Sequence, residues 1–430
     1  MRIFLTGATG FIGSRLARSL AGAGHEVVGA TRAPGIVRDP VDGLRYVGAD
    51  FTARLEPGDW VADLEGVDVV VNAAGIFRPE PRRGFDLMHR RAPCALFAAC
   101  RQAGVRRIVQ ISALGADAGA RSAYHLSKRE GDRCLEATRV RSIIVQPSLV
   151  YGPGGASARL FDTLASLPAI PVPGRGNQRI QPIHVDDLVE ALARLVAMAD
   201  PPARIALVGP RPLALRDFLS QLRAALGIGS RPRFLPVPPF ASRLAARLGG
   251  RLRGSLLDAD ALAMLERGNT ADARATRRLL GREPLAPSRF VPAPWRAAAR
   301  SRARLGWLLP VLRAGIGLVW IVSGIVSFGL YPVDASHALL RRAGAPEVLL
   351  PLLLYGAAAL DLIFGMLTFS RWRGRRLWQA QALLILAYTA VISWKLPEFW
   401  LHPYGPVLKN LPMLAGLWLL AELEDRRWTT

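Results

Sequence analysis

From residue 307 to residue 421 the chain is written in four long apolar runs, at 307–330, 348–369, 377–394 and, weakest, 407–421. A helix needs about 20 apolar residues to cross a bilayer. Three runs approach that length, and the fourth relies on Lys409 snorkelling to the surface. Eight of the ten tryptophans lie from Trp307 onward, several at run ends (Trp307, Trp372, Trp378, Trp394), where indole rings prefer the headgroup level. Core helices of a soluble domain would carry polar faces, which these runs mostly lack. The expectation is an all-α, four-helix transmembrane domain over 305–424. The loop at 371–376 holds four arginines and the tail adds Arg426 and Arg427. On the other side Arg341 and Arg342 are offset by Asp334 and Glu347, and Lys395 and Lys409 lie near Glu398. The positive-inside rule then places the N-terminal region and the C-terminus in the cytoplasm, at the inner membrane, and no apolar leader precedes the first strand. Arg313 and Asp361 fall inside the runs. Intramembrane charges mark functional sites by default, but an ion pair tying two helices together is the favoured reading.

Residues 1–300 follow another rule, short apolar strands alternating with helical patterns, which predicts an α/β, doubly wound parallel sheet. The strand at residues 2–6 runs into Gly7-Ala8-Thr9-Gly10-Phe11-Ile12-Gly13 and then an amphipathic helix and a second strand. One glycine serves the turn, one admits a pyrophosphate and one lets helix and strand pack, while the helix N-terminus supplies amide donors. At the end of the second strand an acid would select NAD, whereas this chain has Thr31-Arg32 and no acid until Asp39. That favours NADP(H), with Arg32 on the 2′-phosphate. Tyr124 and Lys128 are four apart, on one helix face, where an ammonium can lower the phenol's pKa. Lys128 is also the only lysine in residues 1–300, in a chain that otherwise writes its cations as arginine, so its position calls for a compact ammonium.

These residues resemble the short-chain dehydrogenase/reductase superfamily. Gly48-Ala49-Asp50 is similar to its adenine contact, Asn72-Ala73-Ala74-Gly75 to its turn after the fourth strand, Ser112 to its catalytic serine, and Tyr124-x-x-x-Lys128 to its catalytic pair. The segments 146–155, with Pro147, and 182–187 resemble the extended and atypical branches: epimerase/dehydratase-like proteins, NmrA-like proteins and the nucleotide-binding accessory subunit of complex I. The tail resembles the DoxX-like membrane domain. The resemblance implies cofactor contacts from Thr6, Gly7, Gly10, Phe11, Ile12, Gly13, Arg32, Asp50, Asn72, Ala73, Ala74, Gly75, Tyr124, Lys128 and Pro147. It also implies that Ser112 holds the substrate oxygen, Tyr124 exchanges the proton and Lys128 holds the ribose. Asp186 and Asp187 read as helix caps.

The division expected is a dinucleotide-binding domain over 1–200, a substrate lobe and linker over 201–300, and the membrane domain. Cys94, Cys100 and Cys134 are an odd number with no metal spacing, and read as buried hydrophobes in a reducing compartment. The net charge is +23, of which +17 precedes Arg302. With no basic tract it favours anionic lipid over specific nucleic-acid binding. The segment 240–253, with Arg243, Arg247, Arg251 and Arg253, fits either a bilayer surface or a helix packed on the lobe. The whole reads as a membrane-anchored NADP(H)-dependent oxidoreductase acting on a carbonyl or alcohol, with a small or lipid-like substrate such as a quinone. Two rivals remain: a cofactor-holding assembly protein of a membrane complex, and a nucleotide-sugar epimerase or dehydratase, against which the short Ser112-to-Tyr124 spacing counts.

Overall fold

The computed structural model describes residues 1–37, 40–79, 83–251 and 258–424. Asp39, Arg253, Arg426 and Arg427 lie outside them, as does the Arg251 side chain. The chain forms two units, 1–303 and 304–430.

The first unit is built on seven parallel strands: β1 Arg2–Thr6, β2 Glu26–Thr31, β3 Arg45–Gly48, β4 Val69–Asn72, β5 Arg107–Ile111, β6 Ser142–Pro147 and β7 Arg204–Leu207. Their order is β7-β6-β5-β4-β1-β2-β3, so chain order reverses between β1 and β4, the crevice where such sheets bind ligands. Burial alternates with the pleat. Ile3, Leu5, Val71, Val109 and Val145 face one layer with Leu16 and Leu20 of helix α1 (Gly13–Gly22), whereas Phe4, Val70, Ile108 and Ile144 face another with Leu96 and Phe97 of α2 (Ala92–Gln102). Both faces are covered, as a parallel sheet requires. Each fully buried side chain of this kind contributes roughly 1.5–3 kcal/mol. Helix α3 (Ala123–Ala137) lies beside α2, and α4 (Val185–Ala197) beside α1.

This packing corrects the expectation for the cysteines. Cys94 on α2 and Cys134 on α3 are joined in a disulfide, with Cα atoms 5.5 Å apart. The two are 40 residues apart in sequence and meet only because the helices lie side by side, which spacing cannot reveal. Cys100 is buried and free. Asp187 is no cap either. The cap of α4 is His184, and Asp187, fully buried, pairs with Arg282 at 2.8 Å and accepts from the Leu285 amide at 2.7 Å.

The second unit is helical. Among the described residues, three helices are long and apolar enough to cross a membrane: α6 (Arg296–Ile325) with the turn that extends it to Leu330, α7 (Leu350–Phe369) with the turn at its start, and α8 (Arg375–Lys395). The label α5 belongs to Pro239–Arg251 of the first unit. The fourth, α9 (Asn410–Leu423), has 14 residues, about 21 Å of helix against a core of about 30 Å. It is shorter than the run at 407–421 because the chain still turns through Gly405 and Val407. Trp320, Trp378, Ile385, Leu417 and Leu420 form the small core. A buried network crosses it: Trp320 Nε1 donates to Gln381 Oε1 at 3.0 Å, and Gln381 Nε2 to Thr368 Oγ1 at 2.9 Å. Leu318, Leu352, Leu383 and Leu419 point outward, as side chains facing lipid do. Arg313 does join two helices, but its partner is Glu424, beyond α9, and not Asp361. One Asp361 carboxylate oxygen is buried without a hydrogen-bond partner among the described residues.

Candidate functional site

At the switch point two turns touch. Gly7 has a φ of +68°, and a Cβ there would lie 2.8 Å from the Ala73 carbonyl. One on Gly13 would lie 2.1 Å from the Gly7 carbonyl oxygen. Only glycine folds both. The Gly10 amide donates to the Gly7 carbonyl at 2.8 Å. No side chain caps the start of α1, and its first turn holds no acid, which leaves amide donors and the positive end of the helix dipole for an anion. Phe11 and Ile12 are half-buried. Arg15 donates to the Phe11 carbonyl at 2.8 Å and the Pro153 carbonyl at 2.6 Å, tying the glycine loop to the turn after β6. Thr9 and Thr31 hydroxyls are 3.4 Å apart, and Arg32, next in the chain, is exposed at the carboxyl end of β2. These groups fit a pyrophosphate and an adenosine ribose.

Some expected ligands are spent internally. Thr6 Oγ1 donates to Asn72 Oδ1 at 2.6 Å, and Asn72 Nδ2 to Gln110 Oε1 at 2.7 Å, a buried ladder across β1, β4 and β5. Each such bond contributes roughly 0.5–1.5 kcal/mol. Thr6 and Asn72 can therefore serve a cofactor only through their backbone, alongside Ala73, Ala74 and Gly75 of the following turn. Asp50 Oδ1 accepts from the Thr52 amide at 2.9 Å, and Pro147 is buried at the end of β6.

Helix α3 carries both Tyr124 and Lys128. Its cap, Ser122, accepts from the His125 amide at 3.2 Å. Lys128 is 5% exposed, and its Nζ donates to the Ile111 carbonyl at 3.1 Å. A Cβ on Gly75 would lie 3.0 Å from that Nζ and 3.4 Å from His89 Nε2, so the ammonium sits under the turn after β4. Burial lowers its pKa to about 8, against a raising pull from Asp132. Tyr124 is half-buried. Burial, with a smaller push from Asp132, holds its phenol up to about 12. This corrects the expectation that Lys128 lowers it: the ammonium is bonded to the Ile111 carbonyl and does not offset the cost of burying a phenolate. Ser112 is also placed otherwise than expected. It is 4% exposed, and its hydroxyl donates to Asp132 Oδ2 at 2.6 Å. Burial raises the Asp132 carboxyl to about 6, while Ser112, Arg204 and Lys128 pull it down.

Four residues that the sequence reading missed complete the site. Rings of Phe77, Phe85, His89 and His125 surround Tyr124 at centroid distances of 5.2–6.0 Å. His89 stands on a π turn (Leu87–Arg91) leading into α2. Its Nε2 accepts from the Ile76 amide at 3.1 Å, which leaves Nδ1 to donate to Ser127 Oγ at 2.8 Å, and Ser127 donates to the Tyr124 carbonyl at 2.8 Å. Burial, reinforced by the Lys128 charge, lowers the His89 pKa to about 2, so the ring is neutral and acts as a brace. A Cβ on Gly131 would lie 2.1 Å from the His89 carbonyl oxygen. That glycine in mid-helix was the available signal that another backbone closes on α3. From the later part of the unit, Arg267 bonds the Gly115 carbonyl at 2.7 Å and Asp117 at 2.6 Å, and Asp258 pairs with Arg78 at 2.6 Å.

Fold and site define a dinucleotide-binding α/β enzyme domain joined to an apolar helical unit. The NAD dependent epimerase/dehydratase family matches residues 3–209, and the DoxX-like family residues 317–418. A ceramide reductase of Caulobacter vibrioides is 31% identical over 247 residues, 55% of this chain and 73% of that protein. The chain belongs to the NAD dependent epimerase/dehydratase family, within the short-chain dehydrogenase/reductase superfamily, and carries a DoxX-like domain after it. Two solved structures share the fold. An NADPH-dependent quinone oxidoreductase of Escherichia coli, with NADPH bound, has a TM-score of 0.54 at 19% identity, over 67% of this chain and 98% of that one. A UDP-glucuronic acid 4-epimerase of Bacillus cereus, with NAD bound, has a TM-score of 0.51 at 18% identity, over 71% and 99%. The protein is an NAD(P)-dependent enzyme of this family, its cofactor a nicotinamide nucleotide, and its DoxX-like domain associates with membranes.

Proposed function

We propose that the protein is an NADP(H)-dependent oxidoreductase anchored in the inner membrane, with residues 1–300 in the cytoplasm, that reduces or forms a carbonyl on a lipid-like substrate. The observation that carries the reading is the placement of Tyr124 and Lys128 on one helix, with the Lys128 ammonium buried beneath the turn after β4 and an aromatic ring of neighbours around the phenol. A bound nicotinamide cofactor supplies or accepts the hydride. Tyr124 exchanges the proton with the substrate oxygen, and its high pKa keeps it protonated, as a carbonyl-reducing acid must be. Lys128 holds the ribose hydroxyls. Ser112 is a positioning residue, because its proton goes to Asp132. Gly7, Gly10 and Gly13 let the backbone cradle the pyrophosphate. Arg32 is exposed and has no partner among the described residues, which supports a 2′-phosphate contact and NADP(H) over NAD(H).

The lipid character of the substrate is supported by the Phe77 and Phe85 rings, by the membrane domain in the same chain, and by the ceramide reductase among the relatives. Residues 201–300 act as the substrate lobe, through Asp258 and Arg267. The arginines between α7 and α8 support the cytoplasmic orientation. The experiment is a titration of NADPH and NADH into detergent-purified protein, followed by cofactor oxidation against long-chain ketones, lipid aldehydes and quinones. Turnover with NADPH that Tyr124→Phe lowers about a thousandfold is expected. Tight binding without turnover on any of them would favour a cofactor-holding assembly protein, and no binding of either cofactor would defeat both readings.

A further inference from the structure

Helix α5 is left with an unusual face. Phe240, Arg243, Leu244 and Arg247 stand at the i, i+3, i+4, i+7 spacing that puts them on one side, and all four are exposed, Phe240 at 74% and Leu244 at 56%. The strand before it, Arg233–Val237, adds exposed Arg233 and Leu235. It joins α5 by a tight turn in which the Ser242 amide donates to the Pro238 carbonyl at 2.9 Å. Ala246, on the flank beside Arg243, is buried, and the helix packs against Ala259–Arg267. An aromatic and a leucine in water, flanked by guanidinium groups, form a poor soluble surface but match the boundary of an anionic bilayer, where apolar side chains enter the acyl region and arginines meet phosphates.

We propose that this face of α5 is a docking surface for anionic lipid. Two further facts select lipid over a protein partner. The same chain enters its first apolar run at Trp307, 60 residues beyond Arg247, which holds the domain at high effective concentration next to a membrane. The residues before Arg302 carry +17 of net charge, which favours a negatively charged surface. The inference does not depend on the reaction catalysed.

The test uses the full chain, at one copy and, in parallel, two copies per nanodisc, in phosphatidylcholine with or without phosphatidylglycerol, and follows amide hydrogen exchange over 239–247. Exchange about tenfold slower with phosphatidylglycerol is expected, returning to the phosphatidylcholine rate in 1 M salt. Arg243→Glu with Arg247→Glu abolishes the difference, and Phe240→Ser reduces it, while exchange in α1 is unchanged and reports that the fold is intact. Equal rates in the two lipids would overturn the proposal. So would protection insensitive to charge reversal, which means packing on the domain, and protection only in discs holding two copies, which means a second copy covers the face.

Discussion

In the proposed function the site depends on the Lys128 ammonium, and burial sets its titration. Its pKa falls from 10.5 to about 8, so between those values the unfolded chain holds the proton that the folded protein has released. Stability therefore rises with pH across that window, and the cost of burying the charged form is felt in full below pH 8. Function runs the other way: loss of the ammonium weakens NADPH binding by up to tenfold per pH unit above about 8. A binding titration from pH 7 to 10 checks this, and in Lys128→Met affinity is weak and flat with pH. In the proposed function Arg32 sets the choice of cofactor. Arg32→Ala lowers NADPH affinity about 10- to 100-fold, the loss of one charge-assisted contact, and leaves NADH binding unchanged. The placement of Tyr124 and Lys128 on one helix and of the glycines in a turn was legible because each is a local pattern. The orientation of Ser112 was not, since Asp132 lies 20 residues on, nor was the phenol's high pKa, which burial sets.

The packing of α3 against the π turn at His89 holds the site together. Gly131→Ala puts a methyl against a carbonyl oxygen 2.1 Å away that belongs to backbone and cannot rotate aside, so the turn must retreat. A loss of roughly 1–3 kcal/mol, read as a lower melting temperature, is expected, with weaker NADPH binding because His89 and Lys128 shift together. The Cys94–Cys134 bridge joins the same helix to α2 across 40 residues, a loop whose closure stabilises by roughly 3–4 kcal/mol in the chain-entropy picture. Under the proposed cytoplasmic orientation the compartment is reducing, and the two thiols are expected to be unbonded there. Alkylation in intact cells should therefore label them, and Cys94→Ser should lower the melting temperature under oxidising conditions only. The glycine-loop strands and α1 followed from periodicity and turn chemistry. The ring of Phe77, Phe85 and His89 did not, because it comes from a connection and a π turn that only the closed fold brings to Tyr124.

Across the whole molecule, the change of hydropathy near residue 300 announced two units, and the structure divides at residue 303. The length of the fourth helix was not legible, because an apolar run does not show where a turn delays the start of α9. With α9 at 14 residues, topology rests on the arginines between α7 and α8. A reporter active only in the cytoplasm, inserted in that loop, should be active, and one inserted at 402–406 should be silent. The central claim, hydride transfer at the Tyr124 site to or from a lipid, is tested most directly by isotope. Full-length protein in vesicles of host lipid is supplied in turn with NADPH deuterated on each face of C4, and the lipids are read by mass spectrometry. The account predicts one deuterium in a lipid alcohol from one of the two labelled cofactors, absent with Tyr124→Phe; binding of NADPH with no label in any lipid from either would contradict it.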